Sequence, residues 1–342
     1  MIPNLQVEES GLSVMPKAHT PVMCNEVLAV LTSGLTGQGL DAFSLAGPGV
    51  GCPSNGWQNK GLESRTCQAL GQGPAQTLSF VDATFGRGGH TRALLETFKD
   101  SSVTAFDRDL QAVDSAQDMQ AQYPGRLRVI HSCFSQIDKW VEPGSVHAVM
   151  MDFGVSSPQL DQAHRGFSFQ QDGPLDMRMD TSCGPTAADL VNSLPENQLA
   201  DLLFTYGQER ASRRLARAIG HDRQTTPFTT TRQLAGMIER VLGRKGRLHP
   251  ATRTFQALRI AVNQELAEIE KALPLAAQCL RPAGLLVTIA FHSLEDRLAK
   301  TFFKTWPDFD LYTKKPLSPT PYEMENNPRA RSSCLRFGRH KI

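Results

Sequence analysis

The sequence predicts an α/β fold, a parallel sheet with helices on both faces and a helical domain inserted into it. Three observations carry this. Short apolar runs at 78–83 ("LSFVDA"), 102–107 ("SVTAFD"), 127–132 ("LRVIHS") and 146–152 ("VHAVMMD") alternate with helical or loop segments, the pattern of strands buried on both faces. The rhythm stops after Asp152, and the next strand-like run, "GLLVTIAF" (284–291), comes about 130 residues later, far more than a crossover helix needs. The intervening residues carry apolar stripes at helical spacing.

In chain order, "VMCNEVLAVL" (22–31) reads as an amphipathic helix. Ten of the 27 glycines then fall between Gly34 and Gly73. Such a stretch has much entropy to lose and little to bury, so 32–77 reads as a flexible insertion. The first strand leads through "TFGRGGH" (84–90) into a helix, "TRALLETF", and the second into a helix over 109–121. Within the insert, Leu199, Leu202, Leu203 and Tyr206 mark one helix, and Leu234, Met237, Ile238, Val241 and Leu242 a second. Phe255, Leu258, Val262, Leu266, Ile269 and Leu273 mark a third, longer one. Pro195 and Pro227 separate helices. "SLEDRLAKTFFK" is helical, and "PRARSSCLRF" ends in an edge strand. The division expected is an N-terminal segment and helix (1–31), the glycine-rich insertion (32–77), a sheet domain (78–160 and 275–342) and the inserted helical domain (161–274).

Composition narrows the function. An apolar content of 40% over 342 residues supports a large core, and a net charge of +2 excludes a polycation, so any nucleic-acid contact must come from a local patch. The seven cysteines include no C-x-x-C pair, which speaks against a zinc site or a disulfide framework and for a reducing compartment. No apolar stretch approaches the ~20 residues of a membrane span. "MIPNLQVEESGLSV" lacks the basic start of a targeting peptide.

Gly86, Gly88 and Gly89 remove three Cβ atoms where the first strand gives way to a helix, so backbone N–H groups can approach a ligand. A dinucleotide would want a third glycine of the G-x-G-x-x-G pattern, and position 91 is Thr. Asp82 ends the first strand and Asp107 the second, where a carboxylate can accept both hydroxyls of a ribose. Two strand-end acids with a short glycine turn suit S-adenosylmethionine, which has a ribose and an amino-acid end but no pyrophosphate. The plainer reading of Asp107 is a helix N-cap, a task Asp109 can also perform. Asp152 ends the fourth strand and is aimed at the ligand edge of such a sheet. The polar loop "RGFSFQQDGPLDMRMD" (165–180) reads as a lid or substrate loop rather than filler.

At "HTPVM" (19–23), "DATFGRGGHT" (82–91), "AFDRD" (105–109), "MDFGVSSPQLD" (151–161), "RGFSFQQDGPLDMRMD" (165–180), "TYGQERASRRLARAI" (205–219), "HPATRTFQALRIAVNQEL" (249–266), "FHSLEDR" (291–297) and "NPRARSSCLR" (327–336) the chain resembles the RsmH family, also called MraW. The resemblance runs from His19 to Arg336 apart from the glycine-rich insertion. It implies a Rossmann-like class I methyltransferase fold and transfer of a methyl group from S-adenosylmethionine to the exocyclic N4 of a cytidine in small-subunit ribosomal RNA, at the decoding centre. It implies cofactor contacts at Gly88, Gly89, His90, Asp107, Phe134, Asp152 and Gln159. Phe134 would form an aromatic wall for adenine, or else is a plain core residue. The departures are the insertion from Thr32 to Gln76, untypical of bacterial members, Phe153 where the family usually has Leu, and a short stretch before "NPRARSS"; none removes a functional residue.

Attack by N4 needs its lone pair withdrawn from the ring, and a carboxylate accepting an N4–H bond favours this. Asp152 is the candidate catalytic acceptor, and its alternative role is cofactor binding alone. His292, on the same edge, reads better as a structural histidine. For RNA, Arg210, Arg214 and Arg217 recur along one helix face with Arg213 beside them. Arg244, Lys245, Arg247 and Arg253 form a second cluster, and Arg329, Arg331 and Arg336 a third. The partner expected is small-subunit ribosomal RNA or the assembled small subunit, with no membrane partner, and a homodimer is left open. No metal is expected. A nicotinamide oxidoreductase and a non-catalytic RNA-binding factor are the competing readings, separable by which cofactor binds. The insertion and tail favour a eukaryotic relative in the mitochondrial matrix, and the alternative is a bacterial cytoplasm.

Overall fold

The computed structural model describes residues 21–36, 77–244, 246, 248–312 and 314–341. Residues 37–76 of the expected flexible insertion (32–77), the first twenty residues, Lys245 and Arg247 lie outside the described residues.

The elements run α1 (Cys24–Thr36), β1 (Leu78–Asp82), α2 (Gly89–Thr97), β2 (Ser101–Asp107), α3 (Leu110–Ser115), α4 (Gln117–Gln122), β3 (Leu127–His131), β4 (Val146–Asp152) and α5 (Ser157–Asp161). After these come α6 (Ala187–Ser193), α7 (Glu196–Gly207), α8 (Ser212–Asp222), α9 (Thr231–Leu242), α10 (Thr252–Asn263) and α11 (Glu265–Cys279). The chain then returns to the sheet with β5 (Leu280–Ala290), α12 (Ser293–Thr305), β6 (Phe309–Leu311), α13 (Pro321–Asn326) and β7 (Cys334–His340). The sheet order is β3-β2-β1-β4-β5-β7-β6, with β1 to β5 parallel and β7 antiparallel to both its neighbours.

Period-two alternation builds the two faces. Phe80, Val103, Met150 and Val287 point to the side covered by Val27, Val30 and Leu31 of α1 and Leu94 and Leu95 of α2. Their neighbours Val81, Phe106, Met151 and Leu286 point to the side covered by Ile269 and Leu273 of α11 and by Phe302 and Phe303 of α12. A third apolar cluster lies within residues 167–262, among them Leu175, Leu203, Leu215, Ile238 and Leu258.

Several expectations need correction. The first helix continues past Leu31 to Thr36. The helix expected over 109–121 is two short ones meeting at Ala116. The long third stripe of the insert is broken at Gln264, whose φ of 51° is left-handed, so Phe255, Leu258 and Val262 face the helical cluster while Ile269 and Leu273 face the sheet. The expected domain boundary at 274 falls inside α11, a helix that packs on the sheet. The strand ending the tail is no edge strand: β7 pairs on both sides, and the short β6 beyond it takes the edge. Loop 165–180 is no free lid, since Phe167, Leu175, Met177 and Met179 are buried in the helical cluster.

Candidate functional site

The strand order reverses at β1 and β4, which puts a crevice at their carboxyl ends. A cleft lies there. Phe85, Gly86, Gly89 and His90 of the glycine turn line it, with Asp107, Phe134, Asp152, Phe153, Gly154, Ser156 and Gln159. Met179, Phe291, Asn327 and Arg329 complete it, and Pro21 and Val22 reach it from the N-terminal side.

Gly86 and Gly88 take φ of 55° and 70°. A Cβ on Gly88 would stand 2.7 Å from the ring of Phe85, so this glycine shapes the turn from behind and does not itself line the cleft. The Gly86 N–H donates to Asp107 Oδ2 at 2.7 Å, and the Asp109 N–H to Oδ1 at 2.8 Å. Each Asp107 oxygen keeps a second acceptor direction. Burial pushes the Asp107 carboxyl up to about 6, against the pull of those two N–H groups. The cap of α3 is Asp109, which accepts from the Gln111 N–H, so Asp107 is free of that task.

Asp82 differs from the reading of its position. It is fully buried, and its oxygens accept from the Thr84 N–H at 3.1 Å and the Thr91 hydroxyl at 2.7 Å. It braces the glycine turn and faces no cleft. Thr84 in turn accepts the Asp152 N–H at 2.8 Å, tying the ends of β1 and β4 together.

Asp152 Oδ2 lies 3.6 Å from Nε2 of the buried His90. Its Oδ1 has no hydrogen-bond partner, and neither does either nitrogen of His90. Burial opposes charge on the imidazole, but the Asp152 carboxylate, aided by Cys24, outweighs it and raises the His90 pKa. Half-buried Phe134 sets its ring 6.5 Å from that of Phe153 and forms a wall of the cleft. Gln159 is buried with both ends of its amide engaged: Oε1 accepts the Ser156 N–H at 2.9 Å, and Nε2 donates to Asp109 Oδ2 at 2.8 Å.

The sequence reading missed Arg165. Its buried guanidinium donates to Asp109 Oδ2 at 2.8 Å and to the carbonyls of Arg178 and Met179, each at 3.0 Å. Only the polar loop in which it sits hinted at it. His292 caps α12, its Nδ1 accepting the Glu295 N–H at 3.3 Å, and burial lowers its pKa to about 3. Glu265, His292 and Glu295 could share a metal ion among the described residues. Arg259 already pairs with Glu265 at 2.8 Å and lies 3.9 Å from Glu295, neutralising that cluster.

The arginine clusters fare unequally. Arg210, Arg213, Arg214 and Arg217 are all exposed, though Arg210 precedes α8 rather than lying on it. Arg244 pairs with Glu239, and Arg253 donates to the Gln208 carbonyl. Arg329 reaches Asp161 across the cleft rim. Arg336 is buried and bound to Asp296 at 2.6 Å, so it is a core ion pair and not a surface for RNA.

A model of the MraW methylase family matches residues 17–341. The chain belongs to this family. The ribosomal RNA small subunit methyltransferase H of Caulobacter sp. strain K31 is 50% identical over 289 residues, covering 78% of this chain and 88% of the relative. Its namesake from Beijerinckia indica is 50% identical, covering 76% and 79%, and that from Brucella canis 47%, covering 78% and 83%. Among solved structures, an rRNA methylase from Streptococcus thermophilus superposes at a TM-score of 0.37 and 11% identity, over 78% of this chain and 87% of that one, too loosely to carry an argument. Membership of a methylase family sets aside the oxidoreductase and the non-catalytic factor. These relatives are bacterial, and the mitochondrial expectation finds no support among them. Among the described residues, no helix of this MraW family member is long and apolar enough to cross a membrane.

Proposed function

We propose that the protein transfers a methyl group from S-adenosylmethionine to the exocyclic N4 of a cytidine in small-subunit ribosomal RNA. The observation that carries this is the convergence of Asp107, His90 and Asp152 on the cleft between β1 and β4 in a chain about half identical to small-subunit rRNA methyltransferases. The residues present fit the cofactor. Gly86 and Gly89 line a backbone cradle, the Asp107 oxygens can each accept a ribose hydroxyl, and Phe134 offers a face for adenine. Gly88, behind the turn, supports Gly89 in that cradle. Gln159 acts by holding the loop after β4 to Asp109.

S-adenosylmethionine supplies an electrophilic sulfonium methyl when bound. The chain holds cytosine N4 in line with it, and most of the rate gain comes from that alignment. Asp152 accepts the N4–H bond and then the proton, drawing the lone pair out of the ring. Thr84 fixes the backbone of Asp152, and Met179, Phe291 and Asn327 bound the space left for the base. The exposed Arg210, Arg213, Arg214 and Arg217 are the phosphate-binding surface, and the target cytidine is single-stranded or flipped, since a duplex hides N4. The helical insert that carries them is taken to end at Gln264, where α10 gives way to the sheet-packed α11.

The test is methyl transfer from labelled S-adenosylmethionine to small ribosomal subunits, followed by nucleoside analysis. N4-methylated cytidine is the expected product. Tight cofactor binding without transfer to subunits or naked RNA would overturn the substrate.

A further inference from the structure

The buried ring of His90 poses a question that cofactor binding does not answer. Neither nitrogen has a close hydrogen bond: Asp152 Oδ2 stands off at 3.6 Å and the Cys24 thiol faces the ring, while Oδ1 of Asp152 is buried without a partner. Buried polar groups are normally satisfied by short hydrogen bonds, so a ring met only by these looser contacts at one end of a cleft needs a reason. The surroundings supply one. Asp152 of β4 lies 3.6 Å from the ring, and Asp82 of β1, Glu323 of α13 and the Cys24 thiol of α1 also face it. Burial raises the carboxyls of Asp82 and Glu323; the Asp152 charge raises both further, and His90 opposes it. One imidazole thus serves three acids.

We propose that His90 is a positioning residue for Asp152, pairing with its carboxylate from the buried side so that the group is held at the cleft, where it receives the proton leaving N4. This rests on the methyl-transfer reading above. As the N4 lone pair bonds to the methyl carbon, the carbon–sulfur pair stays on sulfur. The N4–H pair returns to nitrogen, and the proton passes to the Asp152 carboxylate and later to water. Burial opposes charge on the ring, but Asp152 raises the His90 pKa, so the carboxylate has a positive partner 3.6 Å away to hold it.

Two measurements test this. The first needs no activity: ¹⁵N NMR of the His90 ring in the cofactor-free protein, with Asp152→Asn beside wild type. His90 is expected to stay doubly protonated at pH 7.5 in wild type and to lose that proton in the variant; a neutral His90 in wild type overturns the pairing. The second is single-turnover methyl transfer against pH for His90→Gln, with S-adenosylhomocysteine binding measured by calorimetry. The expected result is a rate about tenfold lower than any fall in S-adenosylhomocysteine affinity accounts for, with the acid limb of the profile moved to higher pH. An unshifted limb, whether or not binding is lost, overturns the role. If wild type itself methylates no subunit, the functional reading fails, while the NMR arm still reports on the pair.

Discussion

Arg165 Nη1 sits 2.8 Å from Asp109 Oδ2, and both side chains are buried. Asp109 belongs to the turn after β2, and Arg165 opens the segment leading to the helical cluster, so one ion pair fastens the cofactor side of the molecule to the inserted helices. Gln159 donates to the same Asp109 oxygen, and Arg165 also grips two backbone carbonyls.

Removing one partner of such a pair strands the other. Arg165→Ala is expected to cost about 3–5 kcal/mol, because Asp109 then keeps a buried charge met only by the Gln111 N–H and the Gln159 amide. Chemical denaturation of the variant against wild type checks this, and a loss below about 1 kcal/mol would mean that water replaces the guanidinium.

Gly88 tests the glycine turn. At φ 70° a side chain is strained, and its Cβ would stand 2.6 Å from Met119 Cε and 2.7 Å from Phe85 Cζ. Gly88→Ala should therefore displace the turn and weaken S-adenosylhomocysteine binding by at least about tenfold, read by calorimetry. Unchanged affinity would show that the turn does not set the cofactor site.

Asp107 should make cofactor binding depend on pH. Its carboxyl is raised by burial to about 6, and ribose hydroxyls need it ionised. Affinity for S-adenosylhomocysteine should be flat above that value and fall about tenfold per unit below it. The stability of the cofactor-free protein runs the other way. The raised acid contributes stability that is complete below its unfolded pKa and is lost as pH rises through about 6. Asp107→Asn should flatten both profiles, and a binding curve that keeps its slope in this variant places the titrating group elsewhere.

The two kinds of arginine should separate under charge reversal. Arg213→Glu and Arg214→Glu, both exposed, should each lower the slope of log affinity for ribosomal RNA against log salt by about 0.7, with folding unchanged. Arg336→Ala should instead lower the melting temperature, since it removes a buried guanidinium and its pairing with partly buried Asp296. Equal salt slopes in wild type and the α8 variants would remove that helix from the RNA path.

The parallel strands were legible because each is a short apolar run between turn signals, and their number and order in the chain needed nothing more. The swap of β6 and β7 was not, because the antiparallel return depends on pairing between residues far apart, such as Val287 with Phe337. Gln264 escaped notice because a left-handed glutamine leaves no mark on an apolar stripe. In the cleft, Asp107 and Asp152 could be found as acids at strand ends. Asp82 stands at an equivalent position, and only the hydroxyl of Thr91 across the turn distinguishes a brace from a ligand group. Arg165 was invisible for a similar reason: its partner lies 56 residues back, and sequence spacing says nothing about such a meeting.

The placement of β7 has a consequence for how the molecule comes into being. It follows every other described strand in the chain, yet it lies between β5 and β6. While the protein is being synthesised, β5 emerges with one side paired to β4 and the other bare, and β6 has no neighbour until Cys334–His340 arrives. Asn327 and Arg329, which wall the cleft, emerge only just ahead of that strand. A nascent chain therefore cannot close the sheet or complete the cleft early. Its exposed β5 edge is the surface that needs shielding during translation, and the enzyme becomes competent in one late step rather than by degrees.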